Sequence, residues 1–482
     1  MPIVQVARSR STIQPRACYR IELALLQIDF GEISKLSTRG YSIVLALLLC
    51  FFAGCEKTNY DDLIKQKKER DAALLGETRS PLSEQARHAV IKTIEDKGGR
   101  VVLSKVDQSI AEVNFSDNAN DNDLLLQLAK CERLTRLSFN GSTLNADSFE
   151  ILSKFANLEH LDIPNANLTS ASIKAMGELP KLKFLQMAKA SFPTDGFELF
   201  AKYPALEQLR CPQTQVKSSD ISQLKKLKSL RALDLTDNQI PDAAIEEIAS
   251  LPSLTFLKIW GEQISDRALD SVAKMKNLTV LGLNNTTVTD DGMRKLQSLK
   301  KLKEIYLFGT AVGNEGMNSL AKIPSLENLV LRNTKISDAG IEALAALPNL
   351  RSLDISETNS PGVTDAAAVH FKKMNKLQKV NFWSTQIGDD VVASVAKLNT
   401  VTWLNIDKTA VTDKSLRTLE DMPQLTWLHC GSNQERLTDD GAKSLMKLKN
   451  LKYLNISKNG ISEKMYDDLD DFFSPRGCEV VW

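Results

Sequence analysis

A unit of 24 residues recurs along most of this chain and restricts the possible folds more than any other feature. Three consecutive units read LTVLGLNNTTVTDDGMRKLQSLKK from Leu278, LKEIYLFGTAVGNEGMNSLAKIPS from Leu302 and LENLVLRNTKISDAGIEALAALPN from Leu326. The 15 aligned starts are Ile110, Leu134, Leu158, Leu182, Leu206, Leu230, Leu254, Leu278, Leu302, Leu326, Leu350, Leu377, Val401, Leu425 and Leu451. The steps are 24 residues, except for 27 before Leu377 and 26 before Leu451. Such an array must fold by stacking its units.

Each part of the consensus LxxLxLxxTxITDxGLxxLxxLxx has a physical meaning. The fourth and sixth positions point to one side of a strand, whereas the third, fifth and seventh point to the other. The Ser/Thr-Asp-x-Gly step, as at residues 289–292, supplies a helix-capping hydroxyl and an acidic first turn. Apolar residues then follow at a spacing of three and line one face of a short helix. Because one unit cannot bury both apolar faces, the units must share a continuous core.

This pattern resembles the leucine-rich repeat family over residues 110–462. Its ninth position, which satisfies backbone groups at the turn after the strand, is Asn at 118, 238, 433 and 459, and Thr at 214, 286, 310, 334, 358, 385 and 409. Thr with the TD-G step is similar to the 24-residue bacterial repeats of GALA or ribonuclease-inhibitor-like type, and more loosely to the cysteine-containing repeats of F-box adaptors. The resemblance implies an α/β fold: a right-handed horseshoe of about 15 repeats, with a concave parallel sheet and short convex helices.

The two ends of such a solenoid need covers. Residues 81–109 contain a helical pattern, then Gly98 and Gly99 as a stop and a strand pattern, which indicate an amino-terminal cap. Residues 463–482 indicate a last helix and a closing strand, so Trp482 is interpreted as a cap residue.

The amino-terminal segment resembles the signal peptide of bacterial lipoproteins. Residues 41–54, YSIVLALLLCFFAG, form an apolar run after Arg39 that is short for a membrane-spanning helix. The ending FAGC resembles a lipobox, which implies lipid attachment at Cys55, although Phe52 replaces the more usual leucine. We therefore expect a leader at residues 1–54 and a charged tether at 55–80. The alternative is an uncleaved short anchor.

Two further expectations concern this leader. Residues 1–35 precede the signal, so Met1 is expected not to be the natural start, with Leu36 as a candidate for initiation. In the lipoprotein family an Asp after the acylated cysteine favours retention at the inner membrane. Glu56 stands there instead, so the resemblance implies a lipid-anchored protein of the cell envelope, at the outer membrane or its periplasmic face.

Charge and motifs argue against several functional classes. Lys plus Arg number 61 against 60 for Asp plus Glu, which gives no global field that would attract nucleic acid. The solenoid places His160 and His429 roughly 50 Å apart, and no nucleotide, zinc-protease or nucleophile-elbow motif occurs. Cys211 and Cys430 fall at the inward sixth position and are interpreted as core residues. The prediction is a protein without enzyme activity, metal or cofactor.

Aromatic residues accumulate at the third, fifth and seventh positions, which face the concave side. Four of the five Trp belong to this set. One predicted cluster contains Phe256, Trp260, Tyr306 and Phe308, and the other contains Trp383, Trp403, Trp427, His429 and Tyr453. Exposed aromatic patches of this kind mark interaction sites. The alternative interpretation is a cross-strand aromatic ladder that only stiffens the sheet.

The predicted function is that of a membrane-anchored, monomeric leucine-rich repeat lipoprotein that binds a protein or peptide partner through its concave face. Glycan or cell-wall recognition is a second hypothesis, since Trp and Tyr rings also stack on sugars. A structural role in the envelope is a third. An F-box-type adaptor is disfavoured, because no F-box is present and the leader argues against a cytosolic location.

Overall fold

The computed structural model describes residues 82–116, 121–140, 144–358 and 362–482. All of these residues belong to one compact unit. The predicted leader and the whole tether, including Cys55, lie outside the described residues. Within the described part, no helix is both long and apolar enough to cross a membrane.

A sheet of 17 strands runs along the described solenoid. All strands of the described residues, including two outside this sheet, are β1 Arg100–Leu103, β2 Ile110–Phe115, β3 Arg136–Phe139, β4 His160–Asp162, β5 Phe184–Gln186, β6 Gln208–Arg210, β7 Ala232–Asp234, β8 Phe256–Lys258, β9 Val280–Gly282, β10 Glu304–Tyr306, β11 Asn328–Val330, β12 Ser352–Asp354, β13 Lys379–Asn381, β14 Trp403–Asn405, β15 Trp427–His429, β16 Gln434–Thr438, β17 Tyr453–Asn455, β18 Asn459–Gly460 and β19 Glu479–Val481. From β2 onward, successive strands of the large sheet pair in parallel, and β1 joins β2 antiparallel. Strands β16 and β18 form a separate two-stranded sheet.

The strands pair in register, so equivalent positions of the repeat lie side by side. Leu257 of β8 is opposite Leu281 of β9, and Leu281 is opposite Ile305 of β10. These fourth-position side chains are fully buried, as are the first and sixth positions of the same units. The continuous apolar core predicted from the repeat is therefore present, and the α/β leucine-rich repeat solenoid is confirmed.

Short helices lie between successive strands. They are α1 Glu84–Asp96, α2 Asn122–Leu128, α3 Ala146–Leu152, α4 Ser170–Ala175, α5 Gly196–Phe200, α6 Ser218–Ile221, α7 Ile245–Ala249, α8 Ala268–Val272, α9 Asp290–Lys295, α10 Asn314–Leu320, α11 Asp338–Leu344, α12 Ala368–Phe371, α13 Asp389–Ala396, α14 Asp413–Leu419, α15 Asp439–Ala442 and α16 Glu463–Phe473. Short 3-10 segments are Ser222–Lys226, Asp242–Ala244, Leu296–Ser298, Asp365–Ala367, Lys443–Lys447 and Ser474–Arg476. In α9, Met293 packs inward from the predicted apolar stripe, and Leu296 and Leu299 continue that stripe beyond the helix.

From the unit at Leu230 onward, a polar contact joins each unit to the next on the helical side, and we call it the Asp clamp. The carboxylate of Asp266 accepts hydrogen bonds from the Thr289 backbone N–H at 2.8 Å and from its hydroxyl at 2.6 Å. Equivalent side chains that accept a backbone N–H from the following unit are Asp242, Asp290, Asn314, Asp338, Asp365, Asp389, Asp413 and Asp439. The sequence predicted an acidic first turn; the structure shows that the same side chain also fastens the neighbouring unit.

The eighth and ninth residues of the repeat unit determine the turn after each strand. Backbone φ is positive at the eighth position in one unit after another, as at Asn285, Asn333 and Lys408, and this turns the chain out of the strand. The ninth-position Thr hydroxyl donates to the carbonyl three residues earlier, as Thr286 does to Leu283 at 2.7 Å. Where the ninth residue is Asn433, its side chain accepts from the Thr409 N–H of the preceding unit at 2.7 Å.

Helices and strands also close the two ends of the described region. At the start, α1 buries Val90 and Ile94, and β1 pairs antiparallel with β2. At the end, α16 buries Met465, Leu469 and Phe473, and β19 pairs with β17. Trp482 is 51% exposed and its ring lies 4.7 Å from that of Tyr466.

The cysteines of the described region are free thiols. Cys211 and Cys430 are fully buried at inward strand positions, and burial raises the pKa of both thiols well above its usual value. Cys478 is buried and Cys131 is half-buried. A buried thiol held in its protonated form is a packing residue and not a nucleophile.

Candidate functional site

The concave face consists of three rows of side chains, from the third, fifth and seventh positions of successive units. All nine residues of the predicted site lie in these rows: Phe256, Trp260, Tyr306, Phe308, Trp383, Trp403, Trp427, His429 and Tyr453. Each of them is half-buried. The rings are therefore outside the core, as predicted, but they lie against one another and against cations and are not openly displayed.

One group of concave side chains, which we call the C-terminal patch, consists of four rings and a carboxylate: Trp403, Trp427, His429, Tyr453 and Asp407. The rings of Trp427 and Tyr453 stack face to face, with centroids 4.1 Å apart and planes 7° from parallel. They come from paired residues of β15 and β17. The His429 ring lies 4.9 Å from Tyr453 and 5.9 Å from Trp403. Four predicted residues on three adjacent strands are thus brought together.

Polar groups complete the C-terminal patch. His429 Nδ1 lies 3.6 Å from Asp407 Oδ2, and their side chains are only 20% and 16% exposed. The Gly431 backbone N–H donates to Asp407. The indole Nε1 of Trp427 is buried and has no hydrogen-bond acceptor among the described residues. Burial, with help from Glu479, raises the pKa of Tyr453 and keeps its hydroxyl protonated. The patch therefore offers ring edges, one unsatisfied N–H and a hydroxyl.

Trp383 belongs to a different contact from the one predicted. The Arg332 guanidinium lies between two rings, 4.9 Å from Trp383 and 5.0 Å from Phe308. It also pairs with Glu357 at 2.7 Å, and this hydrogen bond raises the pKa of Arg332. The predicted clusters placed these two rings apart, whereas the shared cation joins them. Ser356, the seventh residue of the intervening unit, leaves space for the long arginine side chain.

The remaining predicted rings surround a lysine. Lys258 Nζ lies 5.4 Å from Phe256, 5.4 Å from Trp260 and 5.1 Å from Tyr306. This arrangement needs glycine at position 282 of the strand between them, because an added Cβ would meet Trp260 Nε1 at 2.7 Å. Burial and the nearby Glu304 raise the pKa of Tyr306 to about 12. The protein's own ammonium thus occupies this aromatic cage.

A second group, which we call the N-terminal patch, consists of His160, Asp162, Phe184, Gln186 and Arg210 on strands β4 to β6. The His160 and Phe184 rings stack at 3.8 Å and 8°, and the Arg210 guanidinium lies 5.1 Å from Phe184. None of these five residues belongs to the site predicted from the sequence. The sequence feature that could have revealed this patch is the fifth position of three successive units, which is acidic, then an amide, then basic.

Burial shifts both titratable groups of the N-terminal patch. It raises the pKa of Asp162 to about 6, opposed by the Gln186 hydrogen bond and by Arg210. Burial also lowers the pKa of His160 to about 4, helped by Arg136 and Arg210. At neutral pH the patch therefore holds one carboxylate, one guanidinium and an uncharged imidazole.

A groove of about 890 Å³ follows the edge of the sheet, where the strands of units 278 to 377 end. It is lined by Thr286, Thr287, Gly309, Thr310, Ala311, Asn333, Thr334, Lys335, Glu357 and Ser384. It contains none of the predicted aromatic residues. Its threonine hydroxyls at the ninth position already donate to backbone carbonyls, so the groove is mainly a product of the repeated turns.

The described residues contain no group of three or more His, Cys, Asp or Glu that could hold a metal ion. Asp407 and His429 are near each other, but Cys430, the residue after His429, is buried in the core. The arrangement on the concave face is suited to contact through rings, hydrogen bonds and cations.

Comparison with known proteins gives a consistent fold. Residues 200–436 match the family model described as a leucine-rich repeat region. No curated protein sequence matches the chain. A chain from the structure of the Rad7 and Elc1 complex in yeast is similar at a TM-score of 0.51 and 17% identity, over 92% of this chain and 98% of that one. At this identity the likeness concerns the fold.

Two bacterial structures are similar at lower TM-scores. An internalin from Listeria monocytogenes gives 0.38 with 18% identity, over 83% of this chain and 94% of that one. A leucine-rich repeat protein from Leptospira interrogans gives 0.37 with 18% identity, over 74% and 92% of the two chains.

Proposed function

Residues 200–436 form a leucine-rich repeat region, and on this premise we propose that the protein is a non-enzymatic binding protein whose concave sheet takes a protein or peptide partner. The fold commonly mediates binding between proteins. The yeast neighbour, solved as a complex of Rad7 and Elc1, is an example of this fold within a protein assembly. The proposal places the main contact at the C-terminal patch.

The observation that carries this proposal is the state of Trp427. Its ring is half-buried on the sheet face, and its Nε1 is removed from solvent without an acceptor. A buried donor without a partner is costly, so a small rotation of the half-buried ring that brings Nε1 to a partner carbonyl restores a lost hydrogen bond. Trp and Tyr at the centre of a patch are also the side chains that dominate protein interfaces.

The stacking geometry favours a protein partner over a glycan. A sugar ring binds aromatic residues by lying on an open π face. In the C-terminal patch, Trp427 and Tyr453 cover each other at 4.1 Å, so nothing fits between those two faces. Ring edges, an N–H and the His429–Asp407 pair remain, and these match the amides and side chains of a polypeptide.

Membrane anchoring through a lipid on Cys55 is part of the same proposal. Its support is the FAGC motif after an apolar run, and the following Glu56 favours the outer membrane or its periplasmic face. The anchored protein acts as a monomer that holds its partner at the cell envelope.

The binding proposal is tested by capture from envelope extract with the full chain immobilised. Replacement of Trp403 and Trp427 by Ala should reduce recovery of the captured protein at least about tenfold, because two contact residues at an interface centre are lost. The matched control is Trp482→Ala, which removes another exposed tryptophan at the solenoid end. Unchanged capture by the double variant, with only a lower melting temperature, would mean that the rings stiffen the sheet and bind nothing.

A separate experiment tests the anchor. The full chain is expressed in a bacterial host with labelled palmitate, and Cys55→Ser is compared with Cys50→Ser, which alters a cysteine of the same run. Label on the wild type and on the Cys50 variant, with none on the Cys55 variant, is the expected result. A labelled Cys55 variant contradicts the assignment.

A further inference from the structure

The N-terminal patch aligns an acceptor and a donor on the concave face. Asp162, Gln186 and Arg210 are the fifth residues of adjacent units and pair in register across β4, β5 and β6. At a strand spacing of about 4.8 Å, the backbones that carry Asp162 and Arg210 are separated by about 10 Å. Gln186 lies between them and hydrogen-bonds the carboxylate. The two charged side chains form no direct ion pair within the described residues.

Both charged groups keep a buried polar atom without a partner. Asp162 Oδ1 and Arg210 Nε are inaccessible to solvent and make no hydrogen bond among the described residues. The Arg210 guanidinium instead packs over aromatic rings, 5.1 Å from Phe184 and 5.9 Å from Phe256. One acceptor and one donor are thus held on the same face beside the stacked His160 and Phe184 rings.

The charges of the patch define the ligand class. At neutral pH the Asp162 carboxylate balances the Arg210 guanidinium, and His160 is uncharged because burial lowers its pKa to about 4. Asp234, the next residue along the row, pairs in register with Arg210 and adds a further negative charge beside it. A free carboxylate or phosphate is therefore disfavoured, and so is an ammonium group close to the guanidinium. A neutral group that both donates and accepts hydrogen bonds is favoured.

We propose that the N-terminal patch is a subsite for an uncharged amide of a bound polypeptide, either a backbone amide or an Asn or Gln side chain. The amide N–H donates to the Asp162 carboxylate and the amide carbonyl accepts from the Arg210 guanidinium, after small rotations of the two half-buried side chains. The planar amide group lies against the edge of the stacked Phe184 and His160 rings. This inference rests on the proposed function, since it names a second contact for the same polypeptide partner about ten strands away from the C-terminal patch.

The test uses saturation-transfer NMR on the full chain with two small probes, the capped peptides acetyl-Gly-Gln-Gly-amide and acetyl-Gly-Glu-Gly-amide. We expect transfer to the glutamine peptide, and a signal at least about fivefold weaker in Asp162→Asn and in Arg210→Lys, because Asn is a weaker acceptor than a carboxylate and Lys lacks the planar guanidinium donors. The control is Arg136→Lys, a concave arginine that already pairs with Glu112. Thermal melts establish that each variant is folded.

Several outcomes overturn the subsite. These are no transfer to the glutamine peptide, equal transfer in all variants, or a stronger and equally variant-sensitive signal from the glutamate peptide. N-acetylglucosamine is a third probe, and preferential saturation of its acetamido group would reassign the subsite to a sugar. The two proposals can fail separately. If the Trp427 variant loses capture but Asp162→Asn captures normally, the subsite is wrong and the C-terminal contact stands. If the glutamine peptide still binds but capture does not depend on the tryptophans, the C-terminal contact is wrong and the subsite stands.

Discussion

The N-terminal and C-terminal patches are built from the same kinds of side chain at opposite ends of one sheet. Each contains a pair of stacked rings, at 3.8 Å and 8° for His160 and Phe184, and at 4.1 Å and 7° for Trp427 and Tyr453. Each also has a histidine and a nearby aspartate. The stacks are equivalent because in-register parallel strands place neighbouring rings directly side by side.

The two aspartates differ in how their charge is satisfied. Asp407 accepts from the Gly431 backbone N–H and lies 3.6 Å from His429. Asp162 leaves one oxygen buried without a donor, and burial raises its pKa to about 6. The Asp407 carboxylate thus has partners within its own patch, whereas the N-terminal patch holds the Asp162 carboxylate at a cost in stability. That cost is the kind expected where a ligand supplies the missing hydrogen bond.

The largest expected effect comes from removing one ring of each stack. Trp427→Ala should lower the free energy of unfolding by about 3 kcal/mol and Phe184→Ala by about 2 kcal/mol, because the larger ring loses more buried area and both lose a stacked partner. Urea denaturation of the full chain, followed by far-UV circular dichroism, measures both. An unchanged midpoint for either variant would mean that its stack contributes nothing to the sheet.

The next effect tests how closely the C-terminal patch is packed. In Gly431→Ala the new Cβ would lie 2.9 Å from Asn455 Oδ1 and 2.9 Å from the Ser457 carbonyl oxygen. Because the Ser457 oxygen belongs to the backbone and cannot move aside easily, we expect the free energy of unfolding to fall by about 2 kcal/mol. Ala188 occupies the same position of an N-terminal unit, so Ala188→Gly is the matched control, with a loss below about 1 kcal/mol. Equal losses would show that both ends are packed alike.

Opposite signs are expected when the aspartates are neutralised. The folded pKa of Asp162, about 6, lies above the unfolded value of 3.8, so its ionisation lowers stability as pH rises through 6. After discounting for partial exposure, Asp162→Asn should raise stability by about 1 kcal/mol at pH 7.5 and change nothing below pH 4. Asp407→Asn should lower it by about 1 kcal/mol, since a charge-assisted hydrogen bond is weakened. A stability change of the same sign in both variants would mean that the two carboxylates are satisfied to the same extent.

The smallest effect concerns His160. Its folded pKa, about 4, lies below the unfolded 6.5, so its contribution is complete above pH 6.5 and is lost as pH falls through 4. This slope opposes that of Asp162, and the wild type should vary little between pH 4 and 6.5. Asp162→Asn should therefore become acid-sensitive in this window, and adding His160→Gln should remove the new sensitivity. Thermal midpoints across the window measure it, and a double variant as acid-sensitive as the single one contradicts the account.

The sequence predicted the fold well because each apolar position of the unit has a single environment. Leu257 or Leu281 can only point into the core once the repeat is recognised, and the concave position of Trp403 follows from the same alternation. What a concave side chain touches depends on rotamers and on neighbours 24 or 48 residues away. The pattern could therefore place Arg332 and Trp383 on one face without revealing that the guanidinium packs on the ring.

The helical side shows the same limit. The acidic residue after the capping Ser or Thr was expected to complement its own helix. The structure shows that Asp266 also reaches Thr289, 23 residues later, and that the contact recurs from unit to unit. A contact between units cannot be read from one unit's consensus, although the offset of 23 residues that recurs between most of these Asp residues and their donors was visible in the sequence.

The Asp clamp tolerates units of unequal length. The unit from Leu350 has three extra residues and that from Leu425 two, yet Asp338 reaches Thr364 and Asp413 reaches Thr438, both at 2.8 Å. The clamp thus fixes the phase of each helix and leaves the length of the segment before it free. Whole units then behave as exchangeable cassettes: inserting one 24-residue segment that keeps the Asp and the following Thr would widen the concave sheet by about 4.8 Å without disturbing its neighbours.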